Sequence, residues 1–381
     1  MSGNQGLLDR GTVPPFNSPA VTHRPPARFN PMGWTDNAGN LWLFGGDYNN
    51  GNNGGLIGNN LNDLWKYNVT TNEWTLVRGL VSPTTNAGFN VPGVYGTLGV
   101  TAAGNQPGGR RGGTTWKDAS GNFWLFGGYG GVNTPTLTVG YYNDLWKYDP
   151  VNDRWTWMSG ANTFNSQGNY GTKGVAAPTN QPRARGGSYG GGYASSWVDN
   201  AGNFWIFGGY GYNATNTALG ALNDLWRYNP NTNQWTWMGG TSNTNQPGTY
   251  GPQGTPSALS EPGSRHSAAC WTDASGRFWM FGGVGYGANA TEGYLNDLWM
   301  YDPGTNLWTW IGGSSVVDQI GNYGTRGGAA PGNWPGGRSS MNCPAWVDIN
   351  GKFWIYGGYG YRNTNVRPYL ADLWCYDPGT G

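Results

Sequence analysis

The sequence predicts an all-β fold built from five copies of one four-stranded unit, and three observations predict it. The segment GNFWIFGG at Gly202 returns as GNLWLFGG at Gly39, GNFWLFGG at Gly121, GRFWMFGG at Gly276 and GKFWIYGG at Gly351, and self-similarity at a repeating interval marks a repeat architecture. Each copy is followed by an Asp-Leu-Trp-x-Tyr segment, opening at Asp63, Asp144, Asp224, Asp297 and Asp372. Apolar and aromatic residues alternate at period two between Gly, Pro, Asn and Asp punctuation, which is the pattern of short, half-buried strands.

Each copy divides into four strands, a to d. In the third, strand a ends near Trp197, b is Phe204–Phe207, c is Leu222–Tyr228 and d is Trp235–Met238. The a–b connection is a tight turn from an Asp to a Gly three residues on, at Asp36, Asp118, Asp199, Asp273 and Asp348, where glycine supplies the positive φ that the turn needs. The c–d connection is also short, as in Tyr148-Asp-Pro-Val-Asn-Asp-Arg-Trp155, with proline presetting φ and Asp149 placed to bond the turn backbone. The two remaining connections are long. The b–c inserts run Asp47–Asn60, Tyr129–Tyr141, Tyr210–Ala221, Val284–Tyr294 and Tyr359–Tyr369 and differ freely, whereas the d–a loops Met158–Arg185, Met238–Arg265 and Ile311–Arg338 each hold 28 residues. In an up-and-down unit both long connections fall on one face, so function is expected there. Tryptophan checks the division: all but Trp334 of the 23 fall on strands, and at roughly 150–250 Å² buried per ring they are first of all core between units.

A hydrophobic run ending in Gly-Gly, a variable insert, the Asp-Leu-Trp-x-Tyr strand, an Asp/Asn-Pro turn and a Trp-containing strand together resemble the Kelch repeat. The resemblance covers essentially all 381 residues and implies a five-bladed Kelch-type β-propeller, four antiparallel strands per blade, with the last blade lacking its outer strand. It is read as one domain, 1–381, with repeats at approximately 1–76, 77–157, 158–237, 238–310 and 311–381. Strand Leu370–Tyr376 is then an exposed edge, a position that natural sheets usually protect, so edge-mediated self-association, or a place in a longer repeat array, is open.

Charged residues make up 11% of the chain and the net charge is +1, against about 25% charged in ordinary soluble proteins. Nucleic acid and acidic membrane are therefore disfavoured as partners. No apolar run approaches the roughly 18 residues of a membrane span, and the first residues carry neither the basic start nor the apolar segment of a leader. With only five lysines and an abundance of Asn, Thr, Ser, Gly and Tyr, the composition points to an extracellular or cell-surface protein. Cys270, Cys343 and Cys375 lack metal-site spacing and read as apolar packers, with a disulfide between Cys270 and Cys343 left open.

A single active site needs an arrangement that breaks the repetition, and few polar residues do. His266 sits in the Arg-His-Ser entry to strand a and reads as packing, while His23 stands alone in the first loop. The glutamates Glu73, Glu261 and Glu292 are scattered, so spacing indicates no acid/base pair. The resemblance extends to copper radical oxidases of the galactose oxidase type, but two histidines do not supply their ligand set. No cofactor is expected and no metal ligands are assigned; calcium on Asn/Asp-rich loops stays open, without EF-hand spacing. The strand-c aspartates are expected to bond backbone amides beside Gly-Gly.

The candidate binding residues are repeated ones. Arg28, Arg110, Arg185, Arg265 and Arg338 end the d–a loops, and in four copies a tyrosine, Tyr95, Tyr170, Tyr250 or Tyr323, stands fifteen residues earlier, with Val13 in its place in the first loop. In Kelch domains that bind acidic peptides, arginines at this entry contact the ligand, and the resemblance implies the same location here. Two roles are weighed for the arginines, loop caps or a ring meeting an acidic peptide or glycan; for the tyrosines, pinning a loop to its neighbour or touching ligand. Asp9, Glu261 and Asp318 are the only acids in the d–a loops available to offset the arginines. The reading is a non-catalytic binding or assembly module for a protein, peptide or glycan, and the alternative is a secreted enzyme with an active site on the same face.

Overall fold

A computed structural model of the protein describes residues 11–12, 14–48, 59–79, 89–133, 136–187, 192–213, 215–340, 344–361 and 369–380. Among them every regular element is a strand, as period-two patterning requires. The strands form small antiparallel sheets, consistent with a propeller-like fold. By contact the chain divides into two compact units, residues 1–168 with 183–188, and residues 169–182 with 189–381.

The first unit holds two four-stranded sheets, each a meander in the order a-b-c-d. In the first sheet the strands are Met32–Thr35, Leu41–Asp47, Asn60–Asn68 and Glu73–Arg78. In the second they are Thr114–Lys117, Phe123–Phe126, Leu145–Asp149 and Arg154–Ser159. The second unit repeats the pattern in a third sheet, Ser195–Val198, Phe204–Phe207, Leu225–Asn229 and Gln234–Gly239. It repeats again in a fourth, Ala269–Thr272, Phe278–Phe281, Leu298–Asp302 and Leu307–Gly312. A fifth sheet joins Ala345–Val347, Phe353–Gly360 and Tyr369–Tyr376, with the two-residue strand Arg338–Ser339 also paired to Phe353–Gly360.

Two details differ from the sequence expectation. Strand c of the third sheet opens at Leu225 rather than Leu222, because the Leu222 amide turns away to the Gly209 carbonyl, 2.9 Å off. The b–c inserts are not plain loops. Tyr129–Asn133 pairs with Leu137–Tyr141, Tyr210–Tyr212 with Leu219–Ala221, and Val284–Tyr286 with Glu292–Tyr294. Two of these hairpins take on a two-residue strand from the end of the d–a loop, Arg110–Arg111 and Arg265–His266. Residues 49–58 and 362–368 of the first and fifth inserts lie outside the described residues.

The a–b turn works as its Asp-x-x-Gly pattern requires. Asp199 Oδ1 accepts the amides of Ala201 and Asn203 at 3.0 and 2.9 Å, Oδ2 accepts the Trp205 indole at 2.8 Å, and the Gly202 amide closes on the Asp199 carbonyl at 2.9 Å. Gly202 stands at φ +79° with open space where a Cβ would go, whereas Gly240, at φ +75°, would place a Cβ 2.0 Å from the Asn223 carbonyl oxygen. Substituting Gly202→Ala is therefore expected to cost only left-handed backbone strain, about 1–2 kcal/mol. Gly240→Ala is expected to cost more than that, since backbone must move. Urea unfolding of the two variants measures the difference, and equal losses would show that crowding at Gly240 is relieved.

Sheets pack face to face through one recurring aromatic arrangement. In the first unit Trp34 stacks on Phe123 at 5.3 Å, and Trp42 meets Phe123 and Tyr148 at 5.3 and 5.9 Å. In the second unit Trp197 stacks on Phe278 at 5.2 Å and Trp271 on Phe353 at 5.3 Å. Trp205 and Trp279 likewise reach Tyr301 and Tyr376. Each such pair is worth about 0.5–1.5 kcal/mol beyond the area it buries. Strand c is held from below as well, since Tyr228 and Tyr301 donate to Asn233 and Asn306, asparagines in the left-handed conformation of the c–d turn.

Candidate functional site

The repeated polar residues converge inside each unit, and the four-residue pattern is clearest in the fourth sheet. Arg265 Nη1 and Nη2 donate to the two carboxylate oxygens of Asp297 at 2.6 and 2.7 Å, and Nη1 also reaches the Gly282 carbonyl at 3.1 Å. Asp297 Oδ2 further accepts the Tyr250 hydroxyl at 2.6 Å and the Trp299 indole at 2.7 Å. The second sheet repeats this with Arg110, Asp144, Tyr95 and Trp146. The fifth does so with Arg338, Asp372, Tyr323 and Trp374. In the first sheet Arg28 pairs with Asp63 at 2.6 and 2.7 Å and Trp65 joins them; Val13, which stands where the tyrosine would, lies outside the described residues. In the third, Tyr170 and Trp226 donate to Asp224 at 2.5 and 2.8 Å. Arg185, in the first unit, is 1% exposed and bonds the Arg183 carbonyl through Nε.

This geometry corrects the arginine expectation. Arg110, Arg185, Arg265 and Arg338 are all buried, and the Arg28 side chain is 4% exposed. A guanidinium has five donors, and in Arg110, Arg265 and Arg338 the carboxylate fork, the Gly-Gly carbonyl and the carbonyl two residues back take up Nη1, Nη2 and Nε. They cap loops and do not form an open ring for an acidic ligand. The strand-c aspartates Asp63, Asp144, Asp297 and Asp372, expected to bond backbone amides, instead serve as the counter-ions of these arginines. Burial alone would pull the Arg265 guanidinium down, and the adjoining Asp297 charge more than offsets it, so its pKa is raised. Tyr250 is pushed well above the ordinary phenol range, by burial first and then by Asp297. Tyr95, Tyr170 and Tyr250 each pack at 4.9–5.3 Å against a strand-c and a strand-d tryptophan, so they fasten their own loop to the sheet that follows it.

What the locks leave accessible is a different set of tyrosines, carried by the b–c hairpins. In the second unit Tyr294 meets Tyr359 at 5.9 Å and Tyr359 meets Tyr369 at 5.2 Å, with Tyr369 exposed. Tyr210 stands edge-on to His266 at 5.7 Å. Burial raises the pKa of Tyr210 and of Tyr286, and the exposed Glu292 adds to both. Sequence reasoning passed over these residues because the inserts were read as loops. The available signal was the tyrosine next to Gly-Gly, as in Gly-Gly-Tyr-Gly at Tyr129, Tyr210 and Tyr359.

His266 is a packing residue, as its place in the strand-a entry suggested. Its Nδ1 accepts the Gly192 amide at 3.2 Å and lies 3.1 Å from the Ser267 hydroxyl, and burial lowers its pKa to about 4. His23 bonds the Ser18 carbonyl through Nδ1 at 2.9 Å. Cys270 is a free thiol pushed up to about 11 by burial, Cys375 is free and exposed, and Cys343 and Asp9 lie outside the described residues. Among the described residues no three His, Cys, Asp or Glu side chains gather as a metal site, and no helix is long and apolar enough to cross a membrane. No protein-family model and no curated protein matches this chain.

Proposed function

We propose that the protein is a five-bladed Kelch-type β-propeller acting as a non-catalytic recognition module, and that it binds a neutral glycan on the tyrosine-bearing b–c hairpins. The observation that carries the reading is the contiguous Tyr294–Tyr359–Tyr369 set on hairpins that the interior locks hold in place. Tyrosine gives a flat, amphipathic contact surface at low entropic cost, and sugar rings offer matching apolar faces ringed by hydroxyls. The near-neutral chain and its Asn- and Thr-rich inserts fit such a ligand better than an acidic one, and the same composition suits a secreted or cell-surface protein.

Glycan-array binding followed by titration tests this. Tyr359→Ala is expected to weaken binding by about 5- to 30-fold, since stacking of this kind is worth on the order of 1–2 kcal/mol, while thermal stability changes little. Binding that is unaffected by Tyr359→Ala, or an array with no bound glycan, would overturn the proposal. Salt should have little effect, because no exposed ion pair is involved.

A further inference from the structure

The first unit carries an arginine–aspartate pair that breaks the repetition. Strand d of the first sheet ends in Arg78 where the next three copies have Ser159, Gly239 and Gly312, and the second c–d turn holds Asp153 where its counterparts are Asn72, Asn233 and Asn306. All four turn residues accept a strand-c tyrosine hydroxyl, which asparagine does as well as aspartate. The turn therefore has no need of the Asp153 charge. Arg78 meets it instead: Nε donates to Asp153 Oδ1, Nη2 to the Asp153 carbonyl, and Nη1 to the Ala103 carbonyl at 3.1 Å. Unlike the interior locks, this pair is open to solvent in part, with the two side chains 16% and 35% exposed.

The pair borders a pocket of about 350 Å³ that is also lined by Phe16, Asn17, Val77 and Gln106, all within the first unit, a volume within the range of small-molecule sites. Two shorter side chains make room for it. Trp157, Trp237 and Trp310 reach along strand d and donate to the carbonyls of Ser159, Gly239 and Gly312 at 2.9, 2.6 and 2.8 Å, so an indole lies beside the position that Arg78 occupies. The first copy has Leu76 in place of that tryptophan. In the fourth copy Trp334 covers Gly312, its ring 2.7 Å from where a Cβ would stand, and donates to the Asn296 carbonyl at 2.7 Å. Gln106 makes the matching bond to the Asn62 carbonyl at 3.0 Å with a smaller group. Phe16 is 56% exposed, and so are its counterparts Leu98, Lys173 and Gln253, each twelve residues before a loop-end arginine. Its exposure therefore follows from the loop conformation and not from its place in the chain.

Phe16 and Val77 give the pocket apolar surface, while Arg78 and Asp153 give it donors and acceptors with no net charge. A guanidinium has five N–H groups, and the three bonds of Arg78 use one on each nitrogen, leaving two. Asp153 Oδ1 serves both Arg78 and Tyr148, which leaves Oδ2 to accept from a ligand. A matching ligand has an apolar face for the phenyl ring, adjacent groups that both donate and accept, and no charge. We propose that this pocket binds a single neutral pyranose ring, its C–H face on Phe16 and two neighbouring hydroxyls on Arg78 and Asp153. An ionic ligand gains little here, because each charge of the pair already faces its opposite. The site shares no residue with the hairpin tyrosines and does not rest on their reading.

Aromatic carbon NMR of protein labelled in its phenylalanine rings tests this, with the Phe16 resonance assigned from Phe16→Leu. The probes are the methyl pyranosides of glucose, mannose and galactose, titrated one at a time. At least one is expected to shift the Phe16 resonance saturably. The double variant Arg78→Ser, Asp153→Asn installs residues that other copies carry at these positions, as Ser159, Asn233 and Asn306, so the fold should survive. It is expected to weaken the titration about tenfold or more, since hydrogen bonds to charged groups are lost. No saturable shift with any of the three sugars, or an equal titration in the double variant, would overturn the proposal. Sugar bound only at the hairpin tyrosines leaves the Phe16 resonance in place, so the two sites fail or stand separately. Circular dichroism checks the double variant, and if it is unfolded, Asp153→Asn alone is read against the same outcomes.

Discussion

Replacing Arg265 by alanine is expected to destabilise the protein by about 3–5 kcal/mol, because it strands the Asp297 carboxylate in the interior with its counter-charge gone. Both side chains are fully buried, and the pair is bidentate at 2.6 and 2.7 Å. The Tyr250 hydroxyl and the Trp299 indole would still donate to the carboxylate, but two neutral donors do not replace a guanidinium at that depth. The loss should be partly recovered in Arg265→Met combined with Asp297→Asn, which removes the charge while keeping an acceptor for Trp299. Chemical denaturation measures both. A single variant within 1 kcal/mol of wild type, an order-of-magnitude bound for surface sites, would mean that water reaches the aspartate and that the lock is not structural.

Acid is expected to weaken the fold through His266 in a pH range where most carboxylates are still ionised. The folded pKa is lowered from 6.5 to about 4 because burial disfavours the imidazolium, and Nδ1 already accepts the Gly192 amide. Between those values the unfolded chain binds a proton that the folded chain does not, so stability is complete above pH 6.5 and declines as the pH falls toward 4. Integrated over that interval the loss is roughly 3 kcal/mol. Melting temperatures taken across the interval should fall for the wild type and fall much less for His266→Gln. Parallel pH profiles for the two proteins would show that His266 takes up its proton without unfolding.

The terminal sheets show how far repeat comparison reaches. That Leu41 stands where four copies have phenylalanine, and Tyr356 where four have phenylalanine, can be read directly from the sequence. What that means cannot, because a side chain's surroundings depend on which sheet lies against it. Exposure alone distinguishes Leu373 from Leu298, two leucines in identical Asp-Leu-Trp contexts.

Strand identity, order and turn chemistry were legible in the residues, since alternation, Asp-x-x-Gly and Asx turns act within a few positions and their physics is local. The third-sheet boundaries for strand b matched residue for residue, Phe204–Phe207. The fate of the repeated arginines was not legible. Arg265 and Asp297 are 32 residues apart and Tyr250 and Asp297 are 47 apart, so no spacing rule connects them, and taking the acids only from within the d–a loops left five charges without partners. Folding brings strand c of the same repeat beneath the loop ends at Arg28, Arg110, Arg265 and Arg338, and a guanidinium that leaves water must find a carboxylate there. The sequence alone therefore determined that the chain is a repeating β-structure with two long connections in each copy; the tertiary structure decided that its repeated charges face inward, because only the packed fold sets which groups lose their water.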